Sequence, residues 1–395
     1  MTPEISYIFD TFFAIFAFVL IIFMVPGFAM LEAGLVRTKN VSAVLMMNVM
    51  IFSVASLSFL LMGYSIAFGD FGSDSMSSWA LFLFQMAFVG KVINIMSGGI
   101  SERAKIIPLS IFTIIMAAII YPIVVNWVWG SNMLSDTIFD LNMYDLAGST
   151  VIHSTGGWAL VAAILIVGAR KGRYPKSGGV RVIPASNIPL VTLGAFLLWI
   201  GWFGFNGGSV GAISSKESAD AVALTILNTN TAGLAGAIVS VFFMYLKYKK
   251  LDITMALNGA LGGLVAITAG PDLYNIYTPI LIGGIGGALV VFAVPFFDKL
   301  KMDDPVGALS VHLVNGIWGT LAVGIFASDP ANSITFLGQL KGVILVAIFA
   351  FSSSFIILYA INRVMPLRID SDEELEGLDV NECGVEAYPE FKRAF

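Results

Sequence analysis

Long apolar runs separated by short polar breaks dominate the chain. Two of these runs, FFAIFAFVLIIFMVPGFAML at 12–31 and GVILVAIFAFSSSFIILYAI at 342–361, reach the ~20 residues that a helix needs to cross a hydrocarbon core. Breaks such as GDFGSDS at 69–75 are rich in turn-forming residues. The pattern predicts eleven membrane helices, at 6–33, 41–69, 78–99, 105–128, 145–169, 183–206, 219–246, 252–270, 276–297, 304–327 and 337–365.

The composition supports an all-α integral membrane protein in a lipid bilayer. Of the 395 residues, 57% are hydrophobic and 12% are charged, whereas soluble globular proteins carry about 25% charged residues. The 40 glycines suit closely packed membrane helices. A single cysteine, Cys383, excludes an internal disulfide, and no basic patch supports nucleic-acid binding. We expect a transmembrane domain at 1–365 and a tail at 366–395.

The distribution of lysine and arginine predicts how the helices are oriented across the membrane. The loops after the first, third, fifth, seventh, ninth and eleventh spans contain Arg37, Lys39, Arg103, Lys105, Arg170, Lys171, Arg173, Lys176, Arg181, Lys247, Lys249, Lys250, Lys299, Lys301 and Arg368. The opposite side has Lys216 and little else. Because basic loops stay in the cytoplasm, we expect a multi-pass protein of the cell membrane with its N-terminus outside and its C-terminal tail inside.

The two histidines of the chain occur in one repeated frame. DLAGSTVIHSTGG around His153 and DPVGALSVHLVNG around His312 both fit the pattern D-x-x-G-x-x-x-x-H-x-x-x-G. The frames open the fifth and tenth predicted spans. Since five spans per half is an odd number, the halves must face opposite ways, which predicts an inverted repeat of spans 1–5 and 6–10 with a site near the midplane.

A lone histidine in a membrane helix is commonly a packing residue held by a hydrogen bond. Two at equivalent repeat positions favour a shared polar site, because ionisable groups in lipid usually face a cavity or each other. A zinc site would need three or four ligands, and the predicted spans contain no cysteine and no third histidine. We therefore expect His153 and His312 to touch, as a proton relay or a polar stripe in a narrow pore, with no metal or cofactor.

At these residues the chain resembles the ammonium transporter (Amt/Rhesus) family, on the Amt side. Besides the two histidine frames, the matching segments are GFAMLEAGLVRTKN (27–40), ER (102–103), NWVWG (126–130), GWFGFNGGS (201–209) and EGLDVNECGVEAYPEF (376–391). The resemblance implies the ammonium-transporter fold and a homotrimer in which each protomer has its own pore. It also implies ammonium or ammonia as the substrate and no enzymatic activity.

The resemblance further implies an external ammonium site. Trp129, Phe88 and Ser209 match its two aromatic groups and its hydroxyl, and Asp145 matches the acid that shapes and stabilises it. A small cation over aromatic faces gains ~2 kcal/mol or more when desolvated, and ammonium can donate a hydrogen bond to the hydroxyl. Phe205 matches the phenylalanine that helps to close the vestibule above the histidines. From the residues alone, Asp145 equally suits an N-cap.

Two functions fit these residues. In the first, ammonium is captured, loses its proton, and crosses as ammonia past His153 and His312, because a bare cation in hydrocarbon is prohibitive. Net ammonia flux and electrogenic ammonium flux both fit this scheme. In the second, an ammonium sensor uses the same site to signal, with a blocked or poorly conducting pore. A membrane enzyme is disfavoured, because no nucleophile or metal set accompanies the histidines.

Lys91 departs from the family pattern. It stands in FVGKVINIMSGGISER, where the family pattern has a small hydroxyl or apolar residue. Because it follows Phe88 by three residues, the two share roughly one helix face. We expect its ammonium head to line the pore, hinder conduction and favour sensing; the alternative is a side chain that snorkels to the membrane interface. Glu32, in MLEAG, is assigned a structural role.

The tail is expected to pack on the cytoplasmic face and to communicate between protomers. Five of its carboxylates suit electrostatic pairing with the basic loops, namely Asp370, Asp372, Glu373, Glu374 and Glu376. A solvated acidic tail is the alternative. By resemblance, a PII-type signalling protein, or a fused or partner signalling module, is the candidate partner on this face.

Overall fold

Eleven long helices account for most of the chain in the computed structural model, which describes residues 2–130, 143–327, 329 and 334–391. They are α1 Pro3–Leu35, α2 Thr38–Phe68, α3 Ser78–Ile100, α4 Ile106–Trp129, α5 Ser149–Val167, α6 Ile188–Gly208, α7 Lys216–Tyr248, α8 Ile253–Ile267, α9 Thr278–Lys299, α10 Leu309–Phe326 and α11 Phe336–Val364. A short helix, α12, spans Ser371–Glu376 in the tail. The predicted all-α membrane fold is confirmed.

Three helix starts differ from the prediction by four or five residues. The fifth and tenth spans were expected to open at Asp145 and Asp304, but α5 begins at Ser149 and α10 at Leu309, because the aspartates lie ahead of the helices and cap them. Helix α6 begins at Ile188 rather than at 183, since the Asn187 side chain accepts a hydrogen bond from the Leu190 backbone N–H (3.1 Å). Capping groups, and not the ends of the apolar runs, set these boundaries.

Helix α8 is too short to cross a bilayer by itself. The other ten helices are long and apolar enough to do so, whereas α8 has 15 residues and is therefore about 22 Å long against a hydrocarbon core of ~30 Å. Its segment from Gly259 to Ile267 is buried. Because α8 is enclosed by other helices instead of lipid, it does not need the full length that the prediction of 252–270 gave it.

The two halves, α1–α5 and α6–α10, form an inverted repeat whose equivalent helices meet. Helix α1 packs along α6, and α5 crosses α10. The first contact is close because Gly194 of α6 faces α1, where a Cβ atom would come within 2.3 Å of the Leu31 backbone nitrogen. This packing brings the frames of both halves to the centre of the protomer.

Buried charges tie together helix ends on the side that carries the basic loops. Glu102 is fully buried and pairs with Arg37 and with Arg170, whose Nη1 lies 2.7 Å from its Oε1. Arg170 also binds Asp303, with 2.8 Å between Nε and Oδ2. Burial alone would raise the pKa of Asp303, but the bonds from Arg170 and the charges of Arg103 and Arg170 hold it below its usual range. The network joins the loops that follow α1, α3, α5 and α9.

The tail packs against this same side. Arg368 forms an isolated antiparallel bridge with Ala104 and donates from Nη1 to the carbonyls of Val167 (2.7 Å) and Ala169 (2.8 Å). Glu374 is buried, accepts the Lys171 backbone N–H at 2.6 Å and pairs with Arg368. The predicted packing on the basic face is therefore confirmed for residues 366–391, and residues 392–395 lie outside the described part.

The predicted charge pairing of the tail is only partly correct. Of the five named carboxylates, Glu374 alone forms an ion pair among the described residues, and its partner Arg368 belongs to the tail itself. Asp370 and Glu373 instead form the capping box of α12. The Lys39 ammonium donates to the backbone carbonyls of Glu374 and Leu375. Hydrogen bonds between the tail and backbone groups, including those that Glu374, Asp379 and Glu382 accept from Lys171, Ala43 and Ile106, hold the tail in place more than ion pairs do.

Replacing Glu102 with Gln should destabilise the protein by about 3–5 kcal/mol, because it leaves two arginines around a buried site without their anionic partner. The measurement is the unfolding temperature of the purified protein in detergent. Glu217→Gln, at an exposed position near the start of α7, is the matched control and should unfold as the wild type does. An unchanged unfolding temperature for Glu102→Gln would show that the network does not hold the helix ends.

Candidate functional site

Each histidine frame begins with a buried aspartate that caps a helix. Both oxygens of Asp145 are used: Oδ1 accepts the backbone N–H groups of Gly148 (2.9 Å) and Ser149 (2.8 Å), and Oδ2 accepts those of Thr150 (2.8 Å) and Val151 (3.0 Å). Burial raises the pKa of Asp145 to about 6, and the four backbone donors oppose that rise. Asp145 is thus an N-cap, and its contact with a bound ammonium stays a prediction.

Asp304 repeats this arrangement in the second half. Its Oδ1 accepts the Gly307 N–H at 2.9 Å and its Oδ2 the Leu309 N–H at 2.7 Å. The glycine of each frame has a left-handed backbone, with φ of +107° at Gly148 and +80° at Gly307. A side chain is strained at such angles, so the frame requires glycine where the chain turns into the helix.

The first turn of each helix is a wide π-helical turn that carries the histidine. These turns span Ser149–Ser154 and Leu309–Val314, and such turns are frequent at functional sites. The last glycine of each frame lets the turns approach. A Cβ at Gly157 would lie 2.6 Å from the Leu313 Cβ, and one at Gly316 would lie 2.4 Å from the Ser149 carbonyl oxygen. Each half therefore supplies the glycine against which the other half's histidine turn packs.

The two histidines are in contact, as predicted. Their Nδ1 atoms are 3.1 Å apart, the ring centroids are 5.1 Å apart, and the ring planes differ by 16°. A hydrogen bond between two Nδ1 atoms requires one ring to donate its N–H and the other to accept through an unprotonated nitrogen. His153 and His312 thus share one proton in a buried pair, and exchange of their tautomers would move that proton between the halves.

Aromatic rings enclose the pair on both sides. Trp202 stacks on His153 with centroids 5.2 Å apart, and its Nε1 is fixed by a 2.9 Å hydrogen bond to the Thr268 hydroxyl. Phe28 lies 6.1 Å from His312. The sequence reasoning missed both residues. Trp202 could have been found, because it precedes the predicted Phe205 by three residues and so lies near it on one helix face.

The residues predicted for the external site lie together. Phe88 meets Phe205 edge to face at 4.6 Å and lies 6.2 Å from Trp129, and Ser209 donates from its hydroxyl to the Phe205 carbonyl at 2.8 Å. Phe84, which the sequence reasoning missed, packs edge to face on Phe88 at 4.8 Å; its spacing of one helical turn was the available signal. We call these five residues the outer pocket: Phe84, Phe88, Trp129, Phe205 and Ser209.

The outer pocket connects directly to the histidines. The Phe205 ring lies 5.6 Å from the His153 ring, so the ring contacts run from Trp129 through Phe88 and Phe205 to the histidine pair. Asp145 is linked to this row by its backbone, since the Trp129 indole N–H donates to the Asp145 carbonyl at 2.6 Å. The capping residue of α5 thereby also positions the tryptophan.

Lys91 lies on the same side of α3 as the pocket phenylalanines. Phe84, Phe88, Lys91 and Ile95 are spaced by four, three and four residues, so they form one helix face. Lys91 is 1% exposed, and its Nζ has no hydrogen-bond partner among the described residues. The alternative of a side chain that snorkels to the interface is therefore wrong.

A small cavity continues the path beyond the histidines. It has a volume of about 20 Å³, which is room for roughly one water molecule. Residues from both halves line it: Phe28, Leu31, Glu32, Asn94, Ile95, Leu198, Asn258, Leu261, Val306, Ala308, Val311 and His312. Glu32, which the sequence reasoning treated as structural, thus shares a cavity with His312. We call this space the inner cavity.

The fold and the site define a membrane transport protein, built as an inverted repeat of five helices with a buried histidine pair at the centre of the protomer. Comparison with known proteins gives its family: the model of the Ammonium Transporter Family matches residues 12–388. The chain belongs to this family, and ammonium transport is its function.

Two relatives and two solved structures illustrate the match. Amt2 of Archaeoglobus fulgidus is 35% identical over 94% of this chain and 86% of its own length. Amt1 of Methanocaldococcus jannaschii is 31% identical over 96% and 97%. A sensor Amt protein superposes with a TM-score of 0.89 at 33% identity, over 97% of this chain and 100% of its own. Candida albicans Mep2 gives a TM-score of 0.84 at 26% identity, over 100% and 94%.

Replacing Gly316 with Ala should cost about 1–3 kcal/mol of stability, because the new methyl group would overpack the contact with the Ser149 carbonyl and the Ser154 hydroxyl. The unfolding temperature in detergent measures the loss. Gly72→Ala is the control, since no atom lies within 4 Å of a Cβ there. Equal unfolding temperatures for the two variants would contradict the close crossing of α5 and α10.

Proposed function

We propose that ammonium binds in the outer pocket, gives up a proton there and crosses as ammonia past His153 and His312. The observation that carries this proposal is the unbroken row of ring contacts from Trp129 to the histidine pair within one protomer. The ring faces of Trp129 and Phe88 supply cation–π attraction. The Ser209 hydroxyl donates to the Phe205 carbonyl, which leaves its oxygen free to accept an N–H of ammonium.

The phenylalanine contact explains why the proton must leave. Phe88 and Phe205 touch edge to face in the middle of the row and are essentially inaccessible, so a cation that passed them would lose its hydration in an apolar surrounding. Neutral ammonia avoids most of that cost and needs only a few hydrogen-bond partners. The histidine nitrogens beyond the phenylalanines supply such partners.

The basic loops support one orientation. The buried charge network and the tail lie on the side that carries most of the lysines and arginines, and such loops remain in the cytoplasm. In this orientation the N-terminus and the outer pocket face outward, and the inner cavity lies toward the cytoplasm. Ammonium would then be captured outside and delivered inside.

The tail is suited to communicate this activity to partners. Its contacts reach the loops after three helices of the protomer, at Lys39, Lys105 and Lys171. A homotrimer with one path per protomer, and a PII-type signalling protein or signalling module that docks on this face, are the proposed assembly and partner. The extensive packing of the tail supports a conformational link between that face and the membrane helices.

Ammonium sensing is the second candidate, and Lys91 favours it. This buried amine lies on the same face of α3 as Phe88, one turn away in the direction of Ile95, which lines the inner cavity. In its charged form it would repel an arriving cation, and as a neutral amine it would still obstruct the path. The similarity to a sensor Amt protein adds weight to a role in which ammonium occupies the outer pocket with little flux.

Replacing Trp129 with Leu should weaken the preference for ammonium over potassium about 30-fold, because the loss of ~2 kcal/mol of cation–π attraction corresponds to that factor. The measurement is ammonium-evoked and potassium-evoked charge movement in proteoliposomes. Trp79→Leu, at a site that is 69% exposed, should behave as the wild type. Unchanged selectivity in the Trp129 variant would rule out the cation–π account.

Replacing Lys91 with Thr should raise ammonium flux at least tenfold if the lysine obstructs the path, since it removes the buried amine and leaves a small hydroxyl. Flux in proteoliposomes measures this, with Lys176→Thr at an exposed loop position as the control. A silent wild type with a conducting variant would favour the sensing role. Robust wild-type flux with no gain in the variant would eliminate the blocking role of Lys91.

A further inference from the structure

One oxygen of the Glu32 carboxyl group is hydrogen-bonded, and the other has no partner among the described residues. Its Oε2 accepts a hydrogen bond from the Asn48 side chain at 2.9 Å, and the Asn48 oxygen in turn accepts one from Asn94 at 2.7 Å. The second hydrogen of the Asn48 amide goes to the Val44 carbonyl (3.0 Å). With its donors and acceptor used, Asn48 cannot turn, and the Glu32 carboxyl group is fixed in place.

Glu32 is one of the residues that line the inner cavity. Glu32 is 1% exposed, and its Oε1 has no hydrogen-bond partner among the described residues. Of the residues that line the inner cavity, Glu32 and His312 carry the ionisable groups. A buried carboxylate without a partner is costly, so this position calls for a proton or a small cation.

The space around the free oxygen is shaped by Gly98. A Cβ atom there would lie 3.0 Å from Oε1 and 3.0 Å from the Val306 side chain. Glycine at this position therefore leaves room for the carboxyl group between α3 and the segment before α10. Oε1 thus stays without a hydrogen-bond partner among the described residues, next to Val306, which lines the inner cavity.

We propose that Glu32 forms an inner ammonium site on the far side of the histidine pair from the outer pocket, and that it returns to ammonia the proton that has crossed the pair. This inference rests on the proposed function. The chemistry suits it: a carboxylate accepts charge-assisted hydrogen bonds from an ammonium N–H, and the cavity has room for one molecule of the size of water or ammonia.

The proton transfers balance at each step. Ammonium in the outer pocket gives a proton to the histidine pair and becomes ammonia. His312, when protonated, gives a proton to the Glu32 carboxylate, which leaves a neutral imidazole and a neutral carboxylic acid. That acid protonates the arriving ammonia, so ammonium forms and the Glu32 carboxylate is restored. The net result is one ammonium moved, with the charge of the histidine pair and of Glu32 restored and the tautomers of the two histidines exchanged.

The decisive variant is Glu32→Gln. The amide keeps an oxygen for the bond from Asn48 but places an NH₂ group where Oε1 stood, and that group can neither accept a proton nor bind a cation. Ammonium-evoked charge movement in proteoliposomes should fall at least tenfold. The infrared difference band that ammonium induces from a carboxyl group in the wild type should disappear.

A second variant and a control separate the site from folding defects. Gly98→Ala keeps the Glu32 carboxylate but crowds its Oε1, so it should reduce both the charge movement and the infrared band. Asp10→Asn removes a buried carboxylate from the other end of α1, whose oxygens bind Ile213 and Ser214; if folded, it should keep both signals. Elution as the wild-type oligomer on size exclusion is required of every variant.

The outcomes distinguish this inference from the proposed function. Loss of both signals in Glu32→Gln, with Asp10→Asn unchanged, supports the inner site. Wild-type charge movement and infrared band in Glu32→Gln overturn it and leave transport intact. A wild type without charge movement excludes electrogenic transport and the proton transfer to Glu32, and it leaves net ammonia flux as the transport scheme. The infrared band then decides the binding site alone: a band lost in Glu32→Gln supports it, and no band in the wild type refutes it.

Discussion

The crossing of α5 and α10 is the constraint on which the site depends. Two helices must begin inside the protein, where water cannot satisfy their first backbone N–H groups, and Asp145 and Asp304 supply the missing acceptors. The glycines at the turns and at the crossing then allow the two wide turns to pack against each other. The contact of His153 with His312 follows from this geometry. The aspartate and the two glycines of each repeated frame therefore serve to bring the two histidines together.

The cost of removing a cation from water accounts for the order of the groups along the proposed path. Aromatic faces and a hydroxyl lie where ammonium is proposed to bind. The contacting phenylalanine rings come next, and the histidine nitrogens follow them. Full charges buried on the basic side are bound, some in mutual networks such as that of Glu102, Arg170 and Asp303 and others, such as Arg103 and Asp379, by backbone groups. Lys91 and Glu32 break this rule, since each has a buried polar atom without a partner. At such positions, a charged side chain of the protein can attract or repel a permeating ion.

Much of the fold could be predicted because the relevant signals are local. Apolar runs of membrane length and a repeated frame gave the eleven helices, the inverted repeat and the histidine contact. The sequence left open whether Asp145 caps its helix and did not reveal that Asp304 does, since an aspartate at the start of a helix and one before it look alike. It also did not reveal the free oxygen of Glu32, because that depends on Asn48 from another helix and on cavity walls from both halves.

The positions of Lys91 and Glu32 bear on whether the chain conducts or senses. Lys91 is on the same face of α3 as Phe88 and about one turn, or ~6 Å, from Ile95, which lines the inner cavity with Glu32. On the proposed path, a charged Lys91 would disfavour a second cation, whereas the Glu32 carboxylate beyond the histidines would favour a proton or an ammonium ion. The proposed path therefore hinders the entry of a cation at Lys91 and stabilises a cation at Glu32. With this order of charges, flux depends on whether ammonium loses its proton before it reaches Lys91. Neutral ammonia is not repelled by the lysine, and the proton passes separately through the histidine pair.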